Sequence, residues 1–469
     1  MKVNSQIFRE YDIRGTYNED LTSEIAKRIG LSAGTYFQQN QVNSVIVGHD
    51  NRLSWPEIFE PLVRGLIESG CRVIDIGYSL SPFTYFSWYD QNVNASIMVT
   101  ASHNPAKFNG FKMSLNKKVI HGDEYQKIQS IFNGENFSKG KGERVKYDIF
   151  PNYLKKIKAD IHLEKPLRVV VDCGNGTAGM FAPKILEELG CEVIPIFCES
   201  DGSFPNHDPY PQKKELYLKL TQTIIENKAD IGLAFDGDGD RLGVYDEIGN
   251  FIENDRLAMV FIKEVLKENS GRKVVMNITT SMAVLEYIKS CGGEPLLWKT
   301  GFPNISEKMR EEDAIFGGEI SGHFFFRDRY FGYDDAIYAS LRLLEIISKI
   351  KESFSQMTSS LPRYFETREI RIEVPTSLDK FTIMKNIANE LKKEFSPEMI
   401  LDFDGIRFSF SDGWGLIRAS NTESVIGVRA EAKSEKRLSE IKFIIENKLK
   451  ENKLNIIWGD KDDPFPKKN

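Results

Sequence analysis

Short apolar runs followed by polar or glycine-rich turns recur along the chain. Residues 45–47 and 71–76 read as strands, and between them Ile58, Leu62 and Leu66 recur at helical spacing. A strand, a helix and a second strand in this order form a β-α-β unit. The first part of the chain therefore predicts a mostly parallel sheet.

The same pattern returns twice. Residues 167–171 read as a buried strand and are followed by a helix at residues 181–189. Residues 273–278 read as another strand, which leads to a helix near 282–287 and a strand at 295–298. A charged stretch at residues 133–146 predicts a connecting surface. Three similar units predict three related α/β domains.

The last part of the chain has a different order of elements. It predicts a smaller α+β domain with an antiparallel sheet, built from strands at 368–374, 406–410, 416–419 and 425–430 and helices at 381–395 and 434–451. The predicted fold class is α/β, with three related mixed α/β domains and a smaller C-terminal α+β domain. The predicted boundaries are residues 1–150, 151–255, 256–365 and 366–469.

Composition and charge limit the partners. The 469 residues exceed what one core usually holds, which fits several domains. The net charge of −6 argues against nucleic acid, whereas a small phosphorylated ligand needs only local Arg and Lys side chains. No apolar signal core or membrane-spanning window is present, so we expect a cytoplasmic protein without membrane contact. The five cysteines lack metal-type spacing and read as reduced thiols.

The first stretch with candidate chemistry is Thr-Ala-Ser-His-Asn-Pro at residues 100–105, which follows an apolar strand. We expect an exposed turn that presents Ser102 beside His103, a candidate acceptor with a neighbouring base. A plain Ser/Asn turn that closes the strand is the alternative. Lys112, a little downstream, could neutralise a phosphoryl group or act as a base, or it could be a solvated lysine.

The second stretch places three carboxylates between glycines. Asp236, Asp238 and Asp240 follow an apolar strand and repel one another unless a cation binds, which predicts a magnesium or calcium site. An EF-hand loop is excluded because Arg241 occupies its glycine position and the flanks read as strands. A plain acidic turn remains the alternative.

The third stretch, Gly-Glu-Ile-Ser-Gly-His at residues 318–323, also follows an apolar pair. Glu319, Ser321 and His323 supply donors and acceptors that suit neighbouring sugar hydroxyls. His323 could instead carry a proton, or it could be a half-buried histidine with satisfied hydrogen bonds.

Two further stretches could bind phosphate. Arg14 could clamp a phosphate or pair with Asp12. At the end of a strand, one guanidinium stands with two hydroxyls and an amide, a set that fits a phosphate that is not transferred or, alternatively, an Arg-capped turn: Arg418, Ser420, Asn421 and Thr422.

Residues 100–105, 236–241, 318–323 and 418–422 resemble, in order and one per domain, the four signature loops of the α-D-phosphohexomutases. The resemblance extends over nearly the whole chain, from residues 8–15 to the last domain. Residues 318–323 and 420–422 are most similar to the phosphomannomutase/phosphoglucomutase branch.

The resemblance implies a four-domain enzyme around a central cleft. It implies that Ser102 carries a phosphate and that this phosphate holds Mg²⁺ together with Asp236, Asp238 and Asp240. Hexose 1-phosphate and hexose 6-phosphate of mannose or glucose would interconvert through a hexose 1,6-bisphosphate, which would also activate the enzyme. The implied neighbours of the reacting phosphate are Arg14, His103, Lys112 and Arg241, the implied sugar contacts are Glu319, Ser321 and His323, and the implied distal phosphate contacts are Arg418, Ser420, Asn421 and Thr422.

Departures from the family pattern leave alternatives open. Thr279 and Phe302 stand where the family commonly has Lys and His, so a glucosamine or pentose phosphate remains possible as the substrate. A magnesium-dependent phosphatase with Asp236 as nucleophile and a non-catalytic sugar-phosphate-binding protein are the other two hypotheses. We expect a monomer or a weak homo-oligomer.

Overall fold

The first sheet organises the N-terminal part of the chain. The computed structural model describes residues 4–375, 377–420 and 424–459. The sheet has seven strands in the order β1-β5-β4-β2-β3-β7, with β6 paired to β5. Its strands are β1 (Ile13–Thr16), β2 (Ser44–His49), β3 (Arg72–Tyr78), β4 (Ala95–Val99), β5 (Phe108–Leu115), β6 (Lys118–Val119) and β7 (Arg144–Lys146), and its helices are α1 (Ser23–Gln39), α2 (Trp55–Ser69), α3 (Ser81–Asp90) and α4 (Asp123–Gly134).

The second and third sheets have four strands each. The second is ordered β11-β10-β8-β9 and contains β8 (Arg168–Asp172), β9 (Glu192–Ile196), β10 (Ile231–Phe235) and β11 (Leu242–Tyr245), with α5 (Phe150–Asp160), α6 (Ala182–Glu188) and α7 (Leu218–Asn227). The third is ordered β13-β12-β14-β15 and contains β12 (Lys273–Asn277), β13 (Glu294–Trp298), β14 (Phe316–Gly318) and β15 (Phe324–Phe326), with α8 (Asn254–Lys267), α9 (Met282–Ser290), α10 (Phe302–Glu311), α11 (Ala336–Lys349) and α12 (Phe354–Ser359).

The three sheets share one strand order. In each, three parallel strands are followed by a fourth that pairs antiparallel with the third, as β5 pairs with β4, β11 with β10 and β15 with β14. The first sheet adds β1, β6 and β7 to this plan. The repetition confirms the prediction of three related α/β domains, and it places the connection from third to fourth strand at equivalent positions.

The fourth sheet is antiparallel, as the sequence predicts. Its order is β16-β21-β20-β19-β18, and β17 also pairs with β21. The strands are β16 (Phe365–Glu366), β17 (Ile370–Glu373), β18 (Ile400–Leu401), β19 (Ile406–Phe410), β20 (Gly413–Ala419) and β21 (Val425–Ala432), and the helices are α13 (Lys380–Glu394) and α14 (Glu435–Glu451). This arrangement confirms the smaller α+β domain.

Two local expectations need correction or detail. The stretch at residues 133–146 is more than a connection, because its last three residues form β7 and pair with β3 at the sheet edge. Helix α2 runs through Pro61 and ends where Gly70 takes the left-handed conformation at φ +103°, which glycine adopts without steric cost.

The second and third domains pack on a shared apolar core that also includes residues of α3. Helix α11 is buried over nearly its whole length and lies against α8, β11 and β15. Because α11 contacts β11 of the second sheet and β15 of the third, the β10–β11 and β14–β15 connections approach a common point. Within the described ranges, every helix is too short or too polar to span a membrane.

Candidate active site

Ser102 lies in the connection from β4 to β5. Its backbone is left-handed at φ +51°, its N–H donates to Thr100 Oγ1 at 2.8 Å, and its side chain is buried. The sequence predicts an exposed turn here, and this is wrong for Ser102: the loops of the second domain cover it. Pro105, at the end of the hexapeptide, is exposed. The hydroxyl is therefore held inside the molecule in a water-poor setting.

The acidic loop occupies the equivalent connection from β10 to β11. Ser102 Oγ donates to Asp236 Oδ2 at 2.9 Å, although the two residues are 134 positions apart. Gly237 lies against the Ser102 carbonyl, where a Cβ atom would come within 2.6 Å of the oxygen. Asp236, Asp238 and Asp240 are all fully buried. The close approach of the two loops therefore requires glycine at position 237.

Lys112 extends from β5 into the acidic loop. Its Nζ donates to Asp238 Oδ2 at 2.6 Å and forms a second ion pair with Asp240. Burial alone would lower the pKa of this ammonium, but Asp238 and Asp240 raise the pKa above its ordinary value. The same pairing holds the pKa of Asp240 well below the ordinary range, against the effect of burial. Lys112 is thus a buried cation, and the solvated alternative is wrong.

The acidic loop has the donors that a divalent cation requires. One carboxylate oxygen from each of Asp236, Asp238 and Asp240 lies within 4.8 Å of the other two. Asp238 Oδ1 and Asp240 Oδ1 are buried without a hydrogen-bond partner in the structure. Burial and repulsion from Asp240 and Asp238 raise the pKa of Asp236 well above its ordinary value. Three hard oxygen donors of this kind fit Mg²⁺.

Basic residues surround the Ser102 hydroxyl. His103 Nδ1 lies 3.1 Å from Ser102 Oγ, and Arg14 Nη1 donates to Asn104 Oδ1 at 2.6 Å. Burial lowers the pKa of His103 well below its usual value, and the positive charge of Arg241 lowers it further. Both effects favour the neutral imidazole of His103. Arg14 also pairs with Asp12, as one of the two readings of this residue predicts.

The third loop connects β14 to β15, the same position in the third sheet. Glu319 is buried, and its Oε1 accepts a hydrogen bond from the Gly301 N–H at 2.7 Å. His323 Nδ1 lies 2.9 Å from Asp334 Oδ2, and Arg241 Nε donates to His323 Nε2 at 3.1 Å. His323 of the third domain therefore contacts Arg241, the residue that ends the acidic loop of the second domain. Ser321 is half-buried in the same loop.

The fourth stretch is joined to the site through intermediates. Arg418 Nε donates to Asp404 Oδ1 at 2.8 Å, and Asp404 Oδ2 accepts from the Thr300 N–H at 2.8 Å. The Thr300 carbonyl in turn accepts from the Tyr11 hydroxyl. The Ser420 N–H donates to the Val425 carbonyl, so the pairing of β20 with β21 extends to Ser420. The predicted contacts Asn421 and Thr422 lie outside the described residues.

The structure adds residues that sequence reasoning missed. Ser81, at the start of α3, donates to Asp238 Oδ2, and Asp334 holds His323. Arg52 contacts the Ser102 loop, and Tyr11 reaches the third domain. Arg52 belongs to the polar loop that follows β2, a strand that neighbours β4 in the sheet, and this position is a signal that could have found it. For Asp334 the sequence carries no comparable signal.

The four domain models of one family match most of the chain, between residues 5 and 448. The description is phosphoglucomutase/phosphomannomutase throughout, with alpha/beta/alpha domain I over residues 5–139, domain II over 151–249, domain III over 253–365 and the C-terminal domain over 369–448.

Individual proteins agree with these matches. A phosphomannomutase/phosphoglucomutase of Pseudomonas aeruginosa PAO1 is 41% identical over 446 residues, which cover 95% of this chain and 96% of the relative. A phosphoglucomutase of Neisseria gonorrhoeae is 37% identical and covers 97% of this chain and 99% of its own. A solved family protein from Burkholderia thailandensis superposes with a TM-score of 0.91 at 36% identity, covering 97% of this chain and 100% of its own. The chain therefore belongs to the phosphoglucomutase/phosphomannomutase family, and it is a phosphohexomutase, an isomerase.

Proposed function

We propose that this enzyme interconverts the 1-phosphate and 6-phosphate of mannose or glucose, with Ser102 as the phosphate carrier. The observation that carries the proposal is the hydrogen bond from Ser102 Oγ to Asp236 Oδ2 across two domains, in a buried site that also holds Lys112. A hydroxyl that meets a carboxylate cluster and cationic side chains is suited to hold a phosphoryl group in transit.

The first half-reaction moves the phosphoryl group from Ser102 to the sugar. The O6 hydroxyl of hexose 1-phosphate attacks phosphorus, the bond from phosphorus to Ser102 Oγ breaks, and a hexose 1,6-bisphosphate forms. The hydroxyl proton passes to a base and Ser102 Oγ takes up a proton. Of the two candidate bases, the electrostatics favour His103, because Lys112 is held in its protonated form. Lys112 is then the cation that faces the phosphoryl oxygens.

The second half-reaction restores the enzyme. The bisphosphate turns in the cleft, Ser102 Oγ attacks the phosphorus on O1, and that oxygen leaves with a proton. His103 Nδ1, 3.1 Å from Ser102 Oγ, is placed to accept the serine proton. The products are hexose 6-phosphate and phospho-Ser102, so no water is consumed in productive turnover.

The remaining loops would supply the metal and substrate contacts. Mg²⁺ would be held by the Ser102 phosphate with Asp236, Asp238 and Asp240, and it would supply Lewis-acid stabilisation of the transferring group. Arg14 and Arg241 would bind the reacting phosphate. The sugar contacts would be Glu319, Ser321 and His323, and the distal phosphate contacts would be Arg418, Ser420, Asn421 and Thr422. The domain boundaries at residues 150, 255 and 365 also stay predictions.

The test compares wild type with Ser102→Ala. We expect intact-mass spectrometry to show one phosphate on the wild type. After dephosphorylation the protein should regain activity with a trace of hexose 1,6-bisphosphate, and EDTA should abolish the activity. Ser102→Ala should lose at least about a thousandfold in kcat, since the transferred group has no other carrier. An unphosphorylated, fully active Ser102→Ala protein that releases inorganic phosphate would assign the chemistry to Asp236 instead.

Substrate preference is tested in the same assay. Turnover of mannose 1-phosphate and glucose 1-phosphate should exceed that of glucosamine 1-phosphate and ribose 1-phosphate. A preference for glucosamine 1-phosphate or ribose 1-phosphate would contradict the proposed mannose or glucose substrate. Thr279 and Phe302 would then be the first residues to exchange for the family's Lys and His.

A further inference from the structure

Arg52 lies behind the Ser102 loop and is completely buried. Its Nη2 donates to the carbonyls of Ser102 at 2.8 Å and Asn104 at 2.7 Å. Its Nη1 donates to the carbonyls of Pro105 at 2.8 Å and Phe108 at 3.0 Å. Four backbone carbonyls of one loop therefore converge on a single guanidinium group.

The remaining side-chain donor of Arg52 binds Asp50, the first residue after β2. Nε donates to Asp50 Oδ2 at 3.0 Å, and the backbone N–H of Arg52 donates to Asp50 Oδ1. Every N–H of a guanidinium is thus used, in a fork that an ammonium with three donors does not reproduce. Loop carbonyls buried without partners would destabilise the loop, so Arg52 specifies the loop conformation, including the left-handed backbone of Ser102.

The neighbouring Asn51 faces the second domain. Its backbone N–H donates to Thr177 Oγ1 at 2.9 Å, and its Nδ2 donates to the Asn175 carbonyl at 2.6 Å and to Ser200 Oγ at 2.9 Å. Thr177 then donates through its own N–H to the Gly237 carbonyl at 3.1 Å. Gly237 separates two carboxylates of the acidic loop.

We infer that Asn51 and Arg52 together form a clamp, the Asn51–Arg52 clamp, that sets the position of Ser102 relative to the acidic loop. Arg52 holds the Ser102 loop, and Asn51 holds the turn that carries Asn175 and Thr177, whose N–H donates to the Gly237 carbonyl of the acidic loop. Neither residue contacts the sugar or the phosphate in this proposal, so both are positioning residues. The inference rests on the proposed function, since it concerns the geometry of transfer to and from Ser102.

The clamp is tested with Arg52→Lys, which keeps the charge, and Asn51→Ala, which removes the amide. A displacement of about 1 Å at a reacting atom costs up to about a hundredfold in rate. We expect each variant to lose at least about tenfold in kcat. KM for the sugar phosphate should stay within about twofold, because the substrate contacts are untouched.

Arg144→Lys is the matched control. Arg144 belongs to the same domain, and its guanidinium donates to Glu60 and Asp75 through hydrogen bonds of 2.8 to 3.0 Å. Arg144 is 28% exposed at the sheet edge and lies away from the Ser102 loop, so we expect this variant to keep kcat. A kcat loss in Arg144→Lys equal to that of the clamp variants would reduce the clamp to a general stability effect and overturn the inference.

Two results separate this inference from the proposed function. If wild type carries phosphate on Ser102 and both clamp variants keep wild-type kcat, the clamp inference is wrong and the function stands. If wild type never carries phosphate on Ser102, the proposed function fails first, and the clamp inference falls with it. If one variant fails to fold, the other decides: Arg52→Lys tests the hold on the Ser102 loop, and Asn51→Ala tests the side-chain bonds to Asn175 and Ser200, since the backbone bond to Thr177 remains.

Discussion

At the residue scale, the site depends on burying ionisable groups beside opposite charges. Lys112 lies among carboxylates from another domain, and His103 lies among cations. The first arrangement keeps a lysine charged and the second keeps a histidine neutral. The two environments thus shift the pKa of Lys112 upward and the pKa of His103 downward, so that one is a fixed cation and the other is a neutral imidazole.

A buried carboxyl outside the site allows a direct test of such electrostatics. Asp335 caps α11, and its Oδ2 accepts hydrogen bonds from Tyr153 and Tyr330, both at 2.9 Å. Burial raises the pKa of Asp335 from 3.8 to about 6. The folded state therefore binds this proton more tightly than the unfolded chain, and its contribution to stability is lost as pH rises from 3.8 through about 6.

We expect the free energy of unfolding of wild type, relative to Asp335→Asn, to fall by roughly 2 to 3 kcal/mol between about pH 4 and pH 7. Urea unfolding of both proteins at several pH values measures this difference. A difference that stays constant across this pH range would contradict the prediction.

At the element scale, the loops with candidate chemistry in the first three domains occupy one topological position. Each connects the third strand of its sheet to the antiparallel fourth strand, as from β4 to β5. The strands and the loops could be predicted because apolar runs and the polar residues that follow them are local features. The contact between α1 and α2 could not be predicted, since it depends on how the two helices pack in the folded domain.

Helices α1 and α2 pack backbone against backbone. A Cβ atom on Gly65 would lie 2.2 Å from the Lys27 carbonyl, and one on Gly30 would lie 2.2 Å from the Leu62 carbonyl. We expect Gly65→Ala to lower the free energy of unfolding by about 1 to 3 kcal/mol, because the helices must separate. Denaturant titration gives the value. Gly134→Ala is the control, since a Cβ atom there meets nothing within 4 Å and should be tolerated.

At the scale of the whole molecule, the fourth domain is docked on the third by a polar contact. Arg407 is buried and donates to the carbonyls of Ile278 and Thr280, while its guanidinium stacks on Trp414 at 3.7 Å. Burial lowers the pKa of Arg407 to about 9. The position of the fourth domain, and with it the predicted distal phosphate contacts, therefore depends on this interface.

We expect Arg407→Met to loosen the fourth domain, because two buried carbonyls lose their donor. KM for the hexose phosphate should rise at least about fivefold, while phosphorylation of Ser102 persists, since Ser102 and the acidic loop lie in other domains. Steady-state kinetics and intact-mass spectrometry measure the two effects. Arg437→Met, which removes a partly exposed ion pair with Asp412, should leave KM unchanged. An unchanged KM in Arg407→Met would show that docking does not limit substrate binding.

The sequence by itself determined the α/β plan of the first three domains, the order of the four loops and the residue types that each loop offers, because propensity, apolar spacing and turn chemistry are local. Only the tertiary structure decided which of these residues meet. Lys112 and Asp238 are 126 positions apart, and Ser102 and Asp236 are 134 apart. Such contacts, the burial of Ser102 and the convergence of loop carbonyls on Arg52 follow from how whole sheets pack, which residue spacing does not record.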